Sequence, residues 1–120
     1  MNTALPISLR AAATITASEN GVGVMLPDFT GNGYLMLNSS ALNTAGNTSN
    51  VKLQHSNDNG ATDAWADTGV VFGQVDNTGA SFQSQYLSLD QFKRYVRVVN
   101  TLAGTTPSVT YSVGMIGKTH

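Results

Sequence analysis

The chain has 120 residues, of which only 11% are charged, and six Lys and Arg face seven Asp and Glu for a net charge of −1. This balance excludes nucleic-acid binding through a basic field, and the absence of cysteine excludes thiol catalysis and thiolate metal sites. No apolar run approaches the ~18 residues that a membrane-spanning helix needs, and the first residues lack the pattern of a signal peptide.

The predicted elements are short and β-rich throughout. Residues 1–10 have no clear periodicity, so we expect an N-terminal arm there or an edge strand on a neighbouring subunit. Residues 11–120 form one domain, in which Gly, Asn, Asp, Ser and Thr clusters separate the apolar runs. About eight strands at spacings of roughly 8–12 residues indicate a sandwich or barrel. The predicted strands are 12–17, 22–26, 33–38, 51–55, 69–75, 84–89, 94–100 and 109–115.

Alternation with a period of two residues predicts which side chains are buried. It is cleanest in the last strand, where apolar residues alternate with small polar ones. One helical turn is expected over 90–93, with Asp90 as its cap. The segment 43–50 is expected to be an exposed connection, and 104–108 a hairpin loop between the last two strands. The predicted core residues are Leu53, Val96, Val98, Val109, Tyr111 and Val113.

The segment 56–67 is rich in turn-forming residues. It fails as an EF-hand loop, because Gly60 at the sixth position places Ala66 where the loop needs Glu. Asp58, Asp63 and Asp67 either gather around a cation or bond their own backbone in a turn. The segment is also similar to the Asp-box hairpin, Ser-x-Asp-x-Gly-x-Thr-Trp. We therefore assign a structural turn to Ser56, Asp58, Gly60 and Trp65.

Catalytic chemistry has few candidates in this sequence. His55 lies beside Ser56 and Asp58, but no Gly-x-Ser-x-Gly elbow accompanies it. Glu19 is the only Glu, so no Glu pair is available for glycoside hydrolysis. We expect no enzymatic activity, no cofactor and no metal.

Half of the six basic residues lie in 93–97, the segment Lys-Arg-Tyr-Val-Arg. One interpretation is a strand face bridged to Asp90 or to another turn acid. The other is an anchor on a partner protein, because Arg and Tyr are favoured at interface hot spots. On the second interpretation the partner-binding residues are Arg94, Tyr95 and Arg97.

From Val51 onward, the order of these features resembles that of the small jelly-roll cement, or decoration, proteins of tailed double-stranded DNA phages. The resemblance covers most of the chain. Its motifs are a strand ending in Gln54-His55-Ser56, the Asn59-Gly60 turn, Trp65-Ala66-Asp67, Val71-Phe72, Leu87-Ser88-Leu89, Arg94-Tyr95-Val96-Arg97, the loop 104–108 and a final strand that closes at Gly117.

The resemblance implies an all-β antiparallel jelly-roll sandwich on the outer capsid surface of a virion, made in the host cytoplasm. Its partners would be the major capsid protein and itself, as a homodimer or homotrimer, with no nucleic acid and no membrane. Its action would be mechanical, bridging adjacent capsid subunits. The alternative is a carbohydrate-binding or host-recognition jelly-roll module of a head fibre or tail, which an exposed row of aromatics including Trp65 and Tyr34 would support.

Overall fold

The computed structural model describes residues 3–119, which form nine β-strands, one short 3-10 helix (Leu89–Gln91) and no α-helix. No helix in this range is long and apolar enough to cross a membrane. The strands are β1 (Thr3–Ile15), β2 (Glu19–Asn20), β3 (Val24–Met25), β4 (Phe29–Ser39), β5 (Thr48–Ser56), β6 (Ala66–Val71), β7 (Ser81–Ser88), β8 (Tyr95–Ala103) and β9 (Val109–Thr119).

Two antiparallel sheets face each other in a sandwich. The first has the order β1-β9-β4-β7, and the second has the order β2-β8-β5-β6, with β3 also paired to β8. Because β2 and β3 pair with successive parts of the same strand, they occupy one position. The eight resulting positions follow the jelly-roll order. The predicted antiparallel jelly-roll sandwich of about eight strands is confirmed.

The core lies between the two sheets and follows from the alternation in the strands. In β9, Val109, Tyr111, Val113 and Met115 point inward and are at most 2% exposed, while the residues between them point outward. Burial of each side chain of this size stabilises the folded state by about 1.5–3 kcal/mol. The six predicted core residues are all buried, so this prediction is confirmed.

The N-terminal segment differs from both arrangements that were expected for residues 1–10, an arm or an edge strand on a neighbouring subunit. Residues 3–10 form the first part of β1, which pairs with β9 of the same chain, and Leu9 is buried in the core. Met1 and Asn2 lie outside the described residues. The register shifts between Ser8 and Arg10 and between Arg10 and Ala13. Leu5, Ile7 and Leu9 do alternate with Pro6, Ser8 and Arg10, so the strand pattern is present in the sequence although it was not predicted.

The expected helical turn lies one residue earlier, as the 3-10 helix at Leu89–Gln91. Its N-cap is Ser88, which makes no side-chain capping bond, so the prediction that Asp90 caps the turn is wrong. The Asp90 carboxylate instead accepts a hydrogen bond from the backbone N–H of Gly31 (3.2 Å). It thereby ties the turn to the start of β4.

Candidate functional site

Arg97 lies on the outer face of the second sheet and is held from two sides. Its Nε and Nη2 both donate to Oε1 of Gln54, at 2.9 and 2.7 Å. Its guanidinium carbon is 4.7 Å from the ring centroid of Trp65, within cation–π range. These contacts fix an otherwise flexible side chain, so its charged group is pre-organised at the surface.

A chain of hydrogen bonds links Arg97 on β8, through Gln54 on β5, to Asp67 on β6. Gln54 Nε2 donates to Oδ1 of Asp67 (2.9 Å), and Lys52 Nζ forms an ion pair with the same oxygen (2.9 Å). Both bonds lower the pKa of Asp67, first through Gln54 and then through Lys52. We call the side chains of Lys52, Gln54, Asp67 and Arg97, together with Trp65, the arginine face.

The other two predicted partner-binding residues flank this face. Tyr95 begins β8 and is half-buried, opposite Met25 of β3. Arg94 is exposed, and its Nε lies 3.5 Å from the sulfur of Met25. Neither Arg94 nor Arg97 pairs with Asp90 within the described chain, but Lys93 does pair with a turn acid, since its Nζ is 3.0 Å from Oδ2 of Asp63.

The turn after β5 is organised around two side chains. The hydroxyl of Ser56, which is fully buried, donates to the carbonyl of Asp63 (2.6 Å) and accepts from the N–H of Gly60 (2.8 Å). The Asp58 carboxylate accepts from the backbone N–H of Thr62 (2.9 Å), from the Thr62 hydroxyl and from the N–H of Asp63 (3.0 Å). The Thr62 bonds, side-chain and then backbone, lower the pKa of Asp58 to about 2.

Trp65 lies directly against this turn, despite its late position relative to the Asp-box pattern. Gly60 has φ +82°, and a Cβ on it would lie 2.4 Å from Nε1 of Trp65. A side chain at position 60 is therefore excluded both by the backbone and by the indole. Ser56, Asp58, Gly60 and Trp65 thus meet in one turn, and the indole connects this turn to Arg97.

The three turn aspartates do not gather around a common point. Asp58 faces the backbone of its own turn, Asp63 accepts from the N–H of Asn57 (2.8 Å) and pairs with Lys93, and Asp67 pairs with Lys52. The bond from Asn57, followed by that from Lys93, lowers the pKa of Asp63. Residues 3–119 contain no cluster of three His, Asp or Glu side chains suited to a metal ion.

His55 is placed as a structural residue. Its Nδ1 accepts from the backbone N–H of Lys93 (3.2 Å), and its ring meets the Phe92 ring edge-on with centroids 6.4 Å apart. Desolvation and then the charge of Lys93 lower its pKa, partly opposed by Asp63. Because the Ser56 hydroxyl is engaged in the turn, no Ser-His pair forms here.

Two polar clusters were missed by the sequence interpretation. In the first, Arg10 Nε pairs with Glu19 (2.7 Å), which also accepts from the hydroxyl of Tyr111. Desolvation opposes ionisation of Glu19, but these two bonds outweigh it and lower its pKa. Burial and the bond to Glu19 raise the pKa of Tyr111. The cluster joins β1 and β9 to β2, at one open edge of the sandwich.

The second cluster connects the segment 43–50, which was expected to be an exposed connection, to the hairpin loop 104–108. Asn47 is only 1% exposed, and its amide exchanges hydrogen bonds with both backbone groups of Thr105 (2.9 and 3.1 Å). The side-chain amide of Asn43 likewise donates to the carbonyl of Thr106 and accepts from the N–H of Ser108. Asn-rich loop composition was the only signal in the sequence, and it does not distinguish a solvated loop from this contact.

Aromatic residues are exposed on the opposite outer face, that of the first sheet. Tyr34 and Tyr86 are directly opposed on β4 and β7, with ring centroids 4.9 Å apart. We call the outward residues of this sheet the tyrosine face: Tyr34, Met36, Phe82, Tyr86 and Ile116. Trp65 lies in the turn before β6 of the other sheet, against Arg97, so Trp65 and Tyr34 do not form the anticipated row.

The sequence matches no protein-family model and no curated protein. Its fold is similar to that of chains in three structures of infectious bursal disease virus or its particles. The Gx strain gives a TM-score of 0.59 at 8% identity over 100% of this chain and 33% of that chain, and the Gt strain gives 0.60 at 7% over 99% and 32%. The VP2 subviral particle gives 0.54 at 12% over 99% and 33%. The chain therefore spans about a third of these neighbours, and the likeness concerns the fold.

Proposed function

We propose that this chain is a structural protein of a virus particle, and specifically a cement or decoration protein of a tailed phage. The observation that carries the proposal is the jelly-roll sandwich, which extends over nearly the whole chain and is similar to chains of virus particles. The order of motifs from Val51 onward supports the finer assignment. Because one fold occurs with many different functions, the proposal also requires a surface that is suited to binding a capsid protein.

The arginine face and its margin supply such a contact. Arg97 is already held by Gln54 and Trp65, so docking costs little of the conformational entropy that a free Arg would lose. Beside it, Arg94 and Met25 are exposed, and Val22 is 83% exposed. Arg and aromatic anchors next to exposed apolar side chains are the composition of interface hot spots.

The mechanism follows from geometry and repetition. A module that buries a standard interface of about 1,600 Å² against two neighbouring capsid subunits resists their separation. Many symmetric copies, as homodimers or homotrimers on the outer surface of the major capsid protein lattice, multiply this resistance. Because few charges are involved, attachment depends on apolar burial and short hydrogen bonds, which persist when the screening length falls to about 3 Å at 1 M salt.

The test is to express the tagged chain in infected cells, purify the particles and examine them by cryo-electron microscopy. We expect density for the chain at regular outer lattice positions, in fixed ratio to the major capsid protein, and retention of the chain in about 1 M sodium chloride. Arg94→Ala should reduce occupancy, whereas Lys118→Ala, which removes the same charge from the opposite sheet, should not. Particles that lack the chain, or that carry it inside the shell, would overturn the proposal.

A further inference from the structure

A groove of about 580 Å³ lies at one end of the tyrosine face. Its walls include the rings of Tyr34 and Tyr86, which are 49% and 62% exposed, and the side chain of Ile116. The other lining residues include the polar Thr30, Asn32 and Lys118. Aromatic walls with a few placed polar groups are typical of small-molecule sites.

The groove is built into the sheet by an irregularity in β4. The register with β9 shifts between Thr30 and Tyr34, so Gly31, Asn32 and Gly33 lie opposite Gly117 alone, while Asn32 and Gly33 stay paired with β7. Gly33 is tightly packed, because a Cβ there would lie 2.4 Å from the carbonyl oxygen of Ile116. A side chain at position 33 would therefore require the backbone of β9 to move, so glycine keeps the two strands close beside the groove.

The lining residues of the groove carry a positive charge, and the nearby carboxylate of Asp90 is already bonded to the backbone N–H of Gly31. Lys118 is the only charged residue that lines the groove within residues 3–119, and no acid of that range forms an ion pair with it. A bound partner that brings a carboxylate would therefore complete the site electrostatically. Hydroxyl, amide and phenol groups nearby both donate and accept hydrogen bonds, which matches a ligand rich in hydroxyls.

We propose that this groove binds an acidic saccharide. The apolar C–H face of a sugar ring packs on Tyr34 or Tyr86, the ring hydroxyls bond to Thr30 and Asn32, and the carboxylate pairs with Lys118. A second copy of this chain fits less well, because a symmetric contact through the groove would bring the Lys118 side chains of the two copies together. The site is on the opposite sheet from the arginine face, so it stays open when that face is docked.

The experiment titrates the labelled full chain with hexagalacturonate and with neutral maltohexaose and follows the amide resonances by NMR. We expect shifts confined to residues around the groove, with hexagalacturonate the tighter ligand. Tyr86→Ala, on an edge strand where the fold tolerates it, should weaken both ligands about tenfold, the upper range for one aromatic contact. Lys118→Gln should remove only the preference for the acidic sugar, about threefold for an exposed ion pair.

Phe82→Ala is the matched control, because Phe82 is 68% exposed on the same strand but does not line the groove. It should leave both affinities unchanged. Loss of the acidic preference in about 1 M salt gives a second measurement that needs no variant. The proposal fails if neither saccharide shifts groove resonances at about 10 mM, or if Phe82→Ala and Tyr86→Ala have equal effects. Particle attachment is measured separately, so either proposal can fail alone.

Discussion

The guanidinium of Arg97 covers the indole of Trp65, 4.7 Å from its ring centroid, and so connects β8 to the turn that precedes β6. Trp65 is the only tryptophan of the chain, so its fluorescence reports directly on this contact. A site built from two pre-positioned side chains can be tested before any partner is present.

Arg97→Ala should shift the emission of Trp65 to longer wavelength, because water reaches the uncovered ring. It should also lower the free energy of unfolding by about 1 kcal/mol, from the lost cation–π contact and the bonds to Gln54. Arg94→Ala is the matched control, since the Arg94 side chain is exposed and lies against the sulfur of Met25, not against Trp65. Equal spectra for the two variants would contradict the described contact.

Two glycines with the same backbone conformation test the packing of the turn. Gly60 and Gly46 have φ of +82° and +89°, but only Gly60 has a neighbour, Trp65, where a Cβ would lie. Gly46→Ala should cost the strain of a left-handed residue, about 1–2 kcal/mol. Gly60→Ala should cost at least about 1 kcal/mol more, from overpacking. Urea denaturation measures both, and equal losses would mean that the indole does not pack on the turn.

The Asp58 carboxylate should make the fold sensitive to acid. Its pKa is about 2 in the folded chain against an ordinary 3.8, so the unfolded chain binds this proton more tightly. The stability that it contributes is present above about pH 4 and is lost as the pH falls towards about 2. Asp58→Asn should reduce stability at neutral pH and flatten its decline over this window.

Asp28→Asn serves as the control for that pH series, because Asp28 accepts no hydrogen bond from any residue of 3–119 and is exposed. Its acid unfolding profile should follow that of the unmodified chain. An unchanged profile in Asp58→Asn as well would show that the turn does not depend on the charge of Asp58.

Gln83 connects the two sheets at the β6–β7 edge. Its side-chain amide accepts from the N–H of Gly73 (2.7 Å) and donates to the carbonyl of the same residue (2.9 Å), as a paired strand would. Gln83→Ala should cost about 1–2 kcal/mol and accelerate hydrogen exchange at the Gly73 amide. Gln74→Ala, which removes an exposed side chain next to Gly73, should do neither. Unchanged exchange in Gln83→Ala would rule out this bridge.

Two leucines of β1 distinguish a paired strand from a detached arm. Leu9 is buried and Leu5 is exposed on the same strand. Leu9→Ala should lower the free energy of unfolding by about 2–4 kcal/mol, and Leu5→Ala by less than about 1 kcal/mol. If both substitutions are neutral in denaturant titrations, residues 3–10 do not pack on their own chain.

Local alternation was sufficient to predict the strands that build the core, because burial on one face imposes a two-residue period. The first part of β1 was missed although Leu5, Ile7 and Leu9 alternate there, because so short a pattern does not show which strand it pairs with. Local alternation also could not find contacts that depend on register between distant strands. Glu19 and Tyr111 are 92 positions apart, and nothing near either residue indicates the other.

The same limit applied to the candidate site. The cluster 93–97 and the turn residues were visible as composition, but the stacking of Arg97 on Trp65 depends on β5 lying between β6 and β8. The groove beside Tyr34 depends on a register shift between β4 and β9. The order of strands in a sheet places distant motifs side by side on one surface. A local sequence pattern does not show this order.

The pairing of β1 with β9 has a consequence for synthesis on the ribosome. β1 is the edge strand of the first sheet and β9 is its neighbour there, so Leu9 reaches its buried position only when β9 is present beside β1. At about 5–20 residues per second, β9 emerges roughly 5–20 s after β1 has been translated. During that interval the nascent chain carries an unpaired strand, which makes it a target for chaperones and for pairing with neighbouring nascent copies.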